Sequence, residues 1–194
     1  MITARDFGKA FLWQANQKGI SIDNLKLQKL VYYCQGYHLS LYGIPAFKGK
    51  IKAWRLGPVS PSLYNEYKCY ESKVIAYESF FDGKKILESF PKTIEPVINL
   101  VLKLSGTKSS NQLINMTHSE APWLNHSRRG EGDNKEITHY EMKAFFDGKL
   151  SEIQGDMLAE VLDAVSNANK SGNLVVPQKA YESDDEMMAW IKGL

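Results

Sequence analysis

The chain has no run approaching the roughly 18 apolar residues that a membrane-spanning helix needs, which argues against a membrane span. Met1-Ile2-Thr3-Ala4-Arg5-Asp6 leads into no secretory hydrophobic core, so the cytoplasm is the expected compartment. It has only two cysteines, Cys34 and Cys69, each in a helix-like pattern, and two buried thiols are expected rather than a disulfide. His38, His118, His126 and His139 include no pair three or four residues apart, and neither cysteine has a Cys-x-x-Cys partner. No metal site and no cofactor are therefore expected. Gly-x-Gly-x-x-Gly, Gly-x-x-x-x-Gly-Lys-Ser/Thr and Gly-x-Ser-x-Gly are all missing, which removes the common nucleotide cradles and the hydrolase elbow. Internal repeats and low-complexity segments are absent as well.

What is present is an ordinary globular composition, 43% hydrophobic and 24% charged over 194 residues, enough for one domain with a core. Net charge is +2, but unevenly spread: residues 1–150 carry 21 Lys and Arg against 14 Asp and Glu, and residues 151–194 carry 3 against 8. A basic body with an acidic tail implies either self-docking or separate partners for the two parts. The basic residues are too dispersed for an unconditional nucleic-acid binder.

Thr3 caps a predicted helix to Lys18, with Phe7, Ala10, Phe11 and Ala15 as its apolar stripe and Gly19 as its stop. Asp23 caps a second helix to about Leu41, on which Leu27, Leu30, Val31, Cys34, His38 and Leu41 share a face. Ile51–Arg55 reads as a short strand, paired with Pro45–Lys48 in a small hairpin, and Gly57-Pro58 as a turn. Pro61 opens a third helix. Residues 72–91 are ambiguous, with a turn at Asp82-Gly83. Helices follow at Thr93–Leu104 and from Ser109 or Ser110 to about Met116, then a polar loop at 125–135. Thr138 caps a helix to Phe146 that Asp147-Gly148 closes. Beyond it, Gln154–Asn169 is amphipathic through Met157, Val161, Leu162 and Val165; Leu174–Val176 is extended, and Asp184 starts a last short helix. The fold class is mostly α: one multi-helix domain over 1–148 with a small β-hairpin, and an acidic helical C-terminal extension over 149–194.

Little in this pattern looks catalytic. His118 and Glu120 could serve as an acid–base pair, but without a nucleophile or oxyanion device the better reading is a helix end tying down Ala121-Pro122-Trp123. His38 falls on an apolar face and reads as a satisfied core histidine. Lys26, Lys29, Tyr33 and Tyr37 step along the second helix away from its apolar stripe. Lysines interleaved with tyrosines suit phosphate and base contacts or a protein-binding face; a solvated face is the third reading. Trp54 reads as core, its indole N–H finding a backbone partner.

Several segments in order resemble the SocA-like antitoxin, or Panacea, domain of phage-associated and toxin–antitoxin proteins. They are Leu25-Lys26-Leu27-Gln28-Lys29-Leu30-Val31-Tyr32-Tyr33, Gly36-Tyr37-His38-Leu39, Ala53-Trp54-Arg55-Leu56-Gly57-Pro58-Val59 and Pro61-Ser62-Leu63-Tyr64. Gln112-Leu113, Thr117-His118 and Pro122-Trp123 complete the set, so the resemblance covers about 3–148. It implies a mostly helical, non-catalytic domain that binds a cognate toxin directly, the toxin being encoded beside it. One branch resembles an adaptor that hands its toxin to a AAA+ protease. Nucleic acid and membrane are not expected partners. Lys26, Lys29, Tyr33, Tyr37, Arg55 and Tyr64 are the expected toxin contacts. Leu27, Gln28, Leu30, Trp54, Gly57, Pro58, Val59, His118, Pro122 and Trp123 are expected to be structural.

Overall fold

The structure, a computed structural model, describes residues 2–153 and 155–170. The expectations for Leu174–Val176 and for the last helix from Asp184 lie outside the described residues.

The first two helices start where side chains satisfy free backbone N–H groups. Thr3 accepts from the N–H of Asp6 at the start of α1 (Ala4–Gln17), and Asp23 accepts from that of Lys26 at the start of α2 (Asn24–Tyr42). Gly43, at φ 70°, ends α2 in a conformation that side-chain-bearing residues rarely take. β1 (Ile51–Trp54) and β2 (Gly57–Val59) lead into α3 (Pro61–Tyr67). A 3-10 turn at Tyr77–Ser79 precedes α4 (Gly83–Glu88), which packs on α1. α5 (Ile94–Ser105), α6 (Ser110–His118) and α7 (Ala121–Leu124) follow. Then come β3 (Ser127–Arg128), β4 (Glu131–Gly132), β5 (Glu136–Ile137), α8 (His139–Leu150) and α9 (Gly155–Lys170). Full capping boxes, Ser109 with Gln112 and Thr138 with Glu141, begin α6 and α8.

α2 is the axis of the domain. Helices α1, α3, α5, α6 and α8 and strand β2 all pack on it, and of its 19 residues only Leu25, Ser40 and Leu41 escape full burial. A helix buried on every side cannot sort apolar and polar residues to opposite faces. The core continues through Phe7 and Phe11 of α1, Ile98 and Val101 of α5, Trp123 and Phe146. Phe146 lies edge-on to Tyr32, Tyr33 and Tyr37, and a Cβ on Gly36 would overlap its ring, so glycine there lets α8 approach α2. No helix of the described residues is long and apolar enough to cross a membrane.

The mostly α architecture with a small antiparallel sheet agrees with the sequence reading, but five local expectations need correction. Gly57-Pro58 is not the turn but the start of β2, paired with Trp54 and Ala53, and the turn falls at Arg55-Leu56. β1 pairs with β2 and β5, in the order β2-β1-β5, and not with Pro45–Lys48. That segment's backbone is satisfied elsewhere: Ala46 and Phe47 donate to Oε1 of Gln35, and Lys48 donates to the carbonyl of Ile2. Helix α8 runs through Gly148 to Leu150, because Asp147 is tied side-on to Ser40 and Lys143 and makes no closing turn. Leu162 is exposed, although Val161 beside it is buried in the packing of α9 on α5. Cys34 is buried but Cys69 is exposed, both as free thiols.

Candidate functional site

Two places gather the residues singled out from the sequence: the polar row along α2, and the ends of the hairpins at the edge of the sheet.

Lys26, Lys29, Tyr33 and Tyr37 do not form the outward face expected of them; all four are buried. Periodicity separates them from the Leu27–Leu41 stripe, but β2, α6 and α8 pack on the same helix and cover them. Lys29 has no accessible surface, and its Nζ donates to the carbonyl of Pro58 at 2.9 Å. Burial lowers its pKa to about 7. Lys26 reaches the carbonyl of Ser21 at 3.2 Å, and burial lowers its pKa against the opposing charge of Asp23. Tyr33 donates to Oε1 of Glu120 at 2.9 Å and Tyr32 to Oε2 at 3.4 Å. Burial pushes the Glu120 carboxyl up to about 7, although the hydroxyls of Tyr33 and Tyr32 and the charge of Lys149 pull the other way. Burial likewise raises Tyr33, and lifts Tyr37 to about 12. Tyr33, Tyr37 and Glu120 line a cavity of about 230 Å³, whose other walls include Lys149, Glu152 and Met157.

His118 and Glu120 part ways in space. The His118 ring stacks on Trp123 with centroids 3.8 Å apart and planes 11° from parallel, while the Glu120 carboxylate turns to the tyrosines. No hydrogen bond joins the two side chains among the described residues. His118 does hold the Pro122-Trp123 turn; Glu120 holds α2. His38 is the satisfied core histidine that its position suggests: Nδ1 meets the carbonyl of Ile44 at 2.8 Å and Nε2 the hydroxyl of Thr93 at 3.1 Å. Desolvation drives its pKa down to about 4.

The residues expected to be structural are nearly all interior. Leu27, Leu30, Val59 and Trp123 are core, Pro58 and Pro122 are buried, and Gln28 ties two elements by bonding Asn24 and accepting from the N–H of Ser60. Gly57 has φ 101°, and a Cβ on it would lie 2.8 Å from both Cε of Lys29 and Oγ1 of Thr117. Glycine is required there twice over, by conformation and by space. Trp54 departs from expectation: it is half-buried, its indole N–H donates to the Asn134 side chain at 2.8 Å, and it lies edge-on to Tyr64 at 5.0 Å. The indole that finds a backbone carbonyl is Trp123, which donates to Trp54 at 2.9 Å.

Of the six expected contacts, therefore, Arg55 is exposed and Tyr64 half-buried, at the tip and flank of the β1–β2 hairpin. The structure adds Arg128 and Arg129, exposed on the neighbouring β3–β4 hairpin. They lie in a stretch that reads only as a polar loop, and nothing local in the sequence says that it folds back beside β1.

Comparison with known proteins agrees with the motif reading. The family model described as "Antitoxin SocA-like, Panacea domain" matches residues 27–124. Antitoxin SocA of Caulobacter vibrioides (strain NA1000 / CB15N) is 33% identical over 129 residues, covering 63% of this chain and 69% of that protein. No solved structure matches. The matched span runs from the buried core of α2 through the β1–β2 hairpin to the Trp123 turn, and on that evidence the chain belongs to the SocA-like antitoxin, Panacea domain family.

Proposed function

We propose that this chain is an antitoxin that silences a cognate toxin by direct protein contact, with the hairpin edge around Trp54, Arg55, Leu56 and Tyr64 as its working surface. Membership of the antitoxin family carries the reading. Geometry supports the choice of surface: Lys26, Lys29, Tyr33 and Tyr37 are interior, whereas the hairpin presents an exposed arginine, an exposed leucine and an aromatic pair together. Arginine and aromatic side chains on a rigid support are the kind of group that dominates protein interfaces. Binding, rather than turnover, is the activity assigned to it.

The test is co-expression with the adjacent gene in a bacterial host. Toxicity of that gene alone, relieved by this chain, is the expected result. A neighbour that is harmless alone, or that stays toxic in the presence of this chain, would make the reading wrong. Relief that vanishes in a host lacking its AAA+ proteases would replace occlusion by proteolytic delivery.

A further inference from the structure

The two hairpins point the same way. β1 runs toward its turn at Arg55-Leu56, and the strand beside it runs antiparallel, with Ile51 opposite Ile137 and Lys52 opposite Glu136. The alignment continues past β5: Ala53 donates to the carbonyl of Lys135 at 3.0 Å and accepts from the N–H of Asn134 at 2.9 Å. Gly132 then abuts the backbone of Ala53 and Trp54 so closely that a Cβ on it would overlap the Ala53 carbonyl. The β3–β4 turn at Arg129-Gly130 therefore emerges at the same end of the sheet as the β1–β2 turn. Both of its central residues have positive φ, 54° and 79°, as a type I′ turn requires, and the twist of that turn suits a two-residue hairpin.

Charges on this sheet are unequally satisfied. Lys50 pairs with Glu136 at 2.5 Å and Lys135 with Asp133 at 3.5 Å. The side chains of Arg55, Arg128 and Arg129 have no ion pair or hydrogen bond among the described residues, and Glu131 is the one unpaired acid between them. Next to Arg55 in the same turn, Leu56 is 39% exposed. A guanidinium is weakly hydrated and forks onto carboxylates in pairs of hydrogen bonds, so unpaired arginines next to an exposed leucine suit an acidic protein surface that also offers apolar contact.

We propose that the paired hairpin tips, Arg55-Leu56 and Arg128-Arg129, form a docking surface for an acidic face of a partner protein, with Leu56 seated on apolar surface beside the arginines. The proposal rests on the antitoxin reading, which makes that partner the cognate toxin.

The experiment titrates the purified product of the adjacent gene into the full chain by calorimetry, at low and high salt. Four proteins are compared: the unaltered chain, Arg55→Glu/Arg128→Glu/Arg129→Glu, Leu56→Asp, and Lys68→Glu/Lys73→Glu/Lys92→Glu as a control with the same charge change as the arginine triple. Affinity for the unaltered chain is expected to fall as salt rises. The arginine triple is expected to lose about 100-fold or more while melting as before, with the lysine control within about threefold. Leu56→Asp, which keeps the arginines, is expected to lose at least about tenfold. If the arginine triple and Leu56→Asp both bind as the unaltered chain does, the surface is overturned and the antitoxin reading stands. If the unaltered chain fails to bind the neighbour's product, both fall. A labelled single-stranded RNA that binds the unaltered chain but not the arginine triple, with toxin binding unaffected, would reassign the tips to nucleic acid. Loss of a dimer in the arginine triple, without loss of toxin binding, would reassign them to self-association.

Discussion

Lys29 and Arg55 both lie within the stretch that the family model matches, and their circumstances are opposite. Lys29 has no accessible surface and, among the described residues, no carboxylate partner and a single hydrogen bond, to the Pro58 carbonyl. Arg55 is exposed at a turn, its side chain unpaired among the described residues. A buried ionisable group is costly unless it is well partnered, and its removal disturbs whatever was built around it. An exposed unpaired guanidinium costs the fold almost nothing and is available to something else. The interior polar row of α2 thus belongs to the frame, and the hairpin tips belong to whatever the frame presents.

Substitutions can break that contrast, beginning with the frame. Trp123→Ala removes the ring stacked on His118 and the bond to the Trp54 carbonyl; a loss of about 3–5 kcal/mol in urea denaturation is expected. A loss below about 1 kcal/mol would mean that the turn is not part of the frame.

The Lys29 ammonium gives the next effect. Its folded pKa of about 7 lies below the ordinary 10.5. The unfolded chain therefore binds more protons between these values, and stability rises with pH across that window and is lost as pH falls through about 7. Lys29→Met should abolish a rise on the order of 3 kcal/mol between pH 7 and about 10. Equal slopes for the two proteins would show that the ammonium finds a partner or water in solution.

Glu120 has the opposite sign. Its pKa is raised from 4.5 to about 7, so its contribution is fully present below about 4.5 and lost as pH rises through 7. The stability difference between the native chain and Glu120→Gln should shrink by on the order of 2 kcal/mol from pH 4.5 to 7. Taking the difference cancels the contrary slope of His38, whose pKa is lowered to about 4. A difference independent of pH would contradict the burial of that carboxyl. The smallest effect is expected at the tips: the Arg55, Arg128 and Arg129 triple should stay within about 0.5 kcal/mol of the native stability, and a larger drop would move those arginines into the frame.

The fold was legible where local physics decides it. Thr3, Asp23, Ser109 and Thr138 all cap the helices their positions announce, and the Leu27–Val31 stripe is core. The sheet was legible only in part, because the partners of β1 depend on a strand more than eighty residues later. The candidate surface was the least legible. Lys29, Tyr33 and Tyr37 look outward on a helical wheel, but the Gly57-Pro58 backbone closes over the lysine, and α8 with Phe146, together with Glu120, over the tyrosines. Arg128 and Arg129 look like loop charge until Gly132 lets their hairpin lie against β1.

The contact between Lys29 and the Gly57-Pro58 backbone has a consequence for exchanging parts between family members. Lys29 ends in the space that a Cβ on Gly57 would fill, so helix and turn are two halves of one joint. A chimera that takes the turn from one homologue and α2 from another should fold only if lysine and glycine travel together. The exposed tip residues Arg55 and Leu56 should graft singly, without rebuilding the domain.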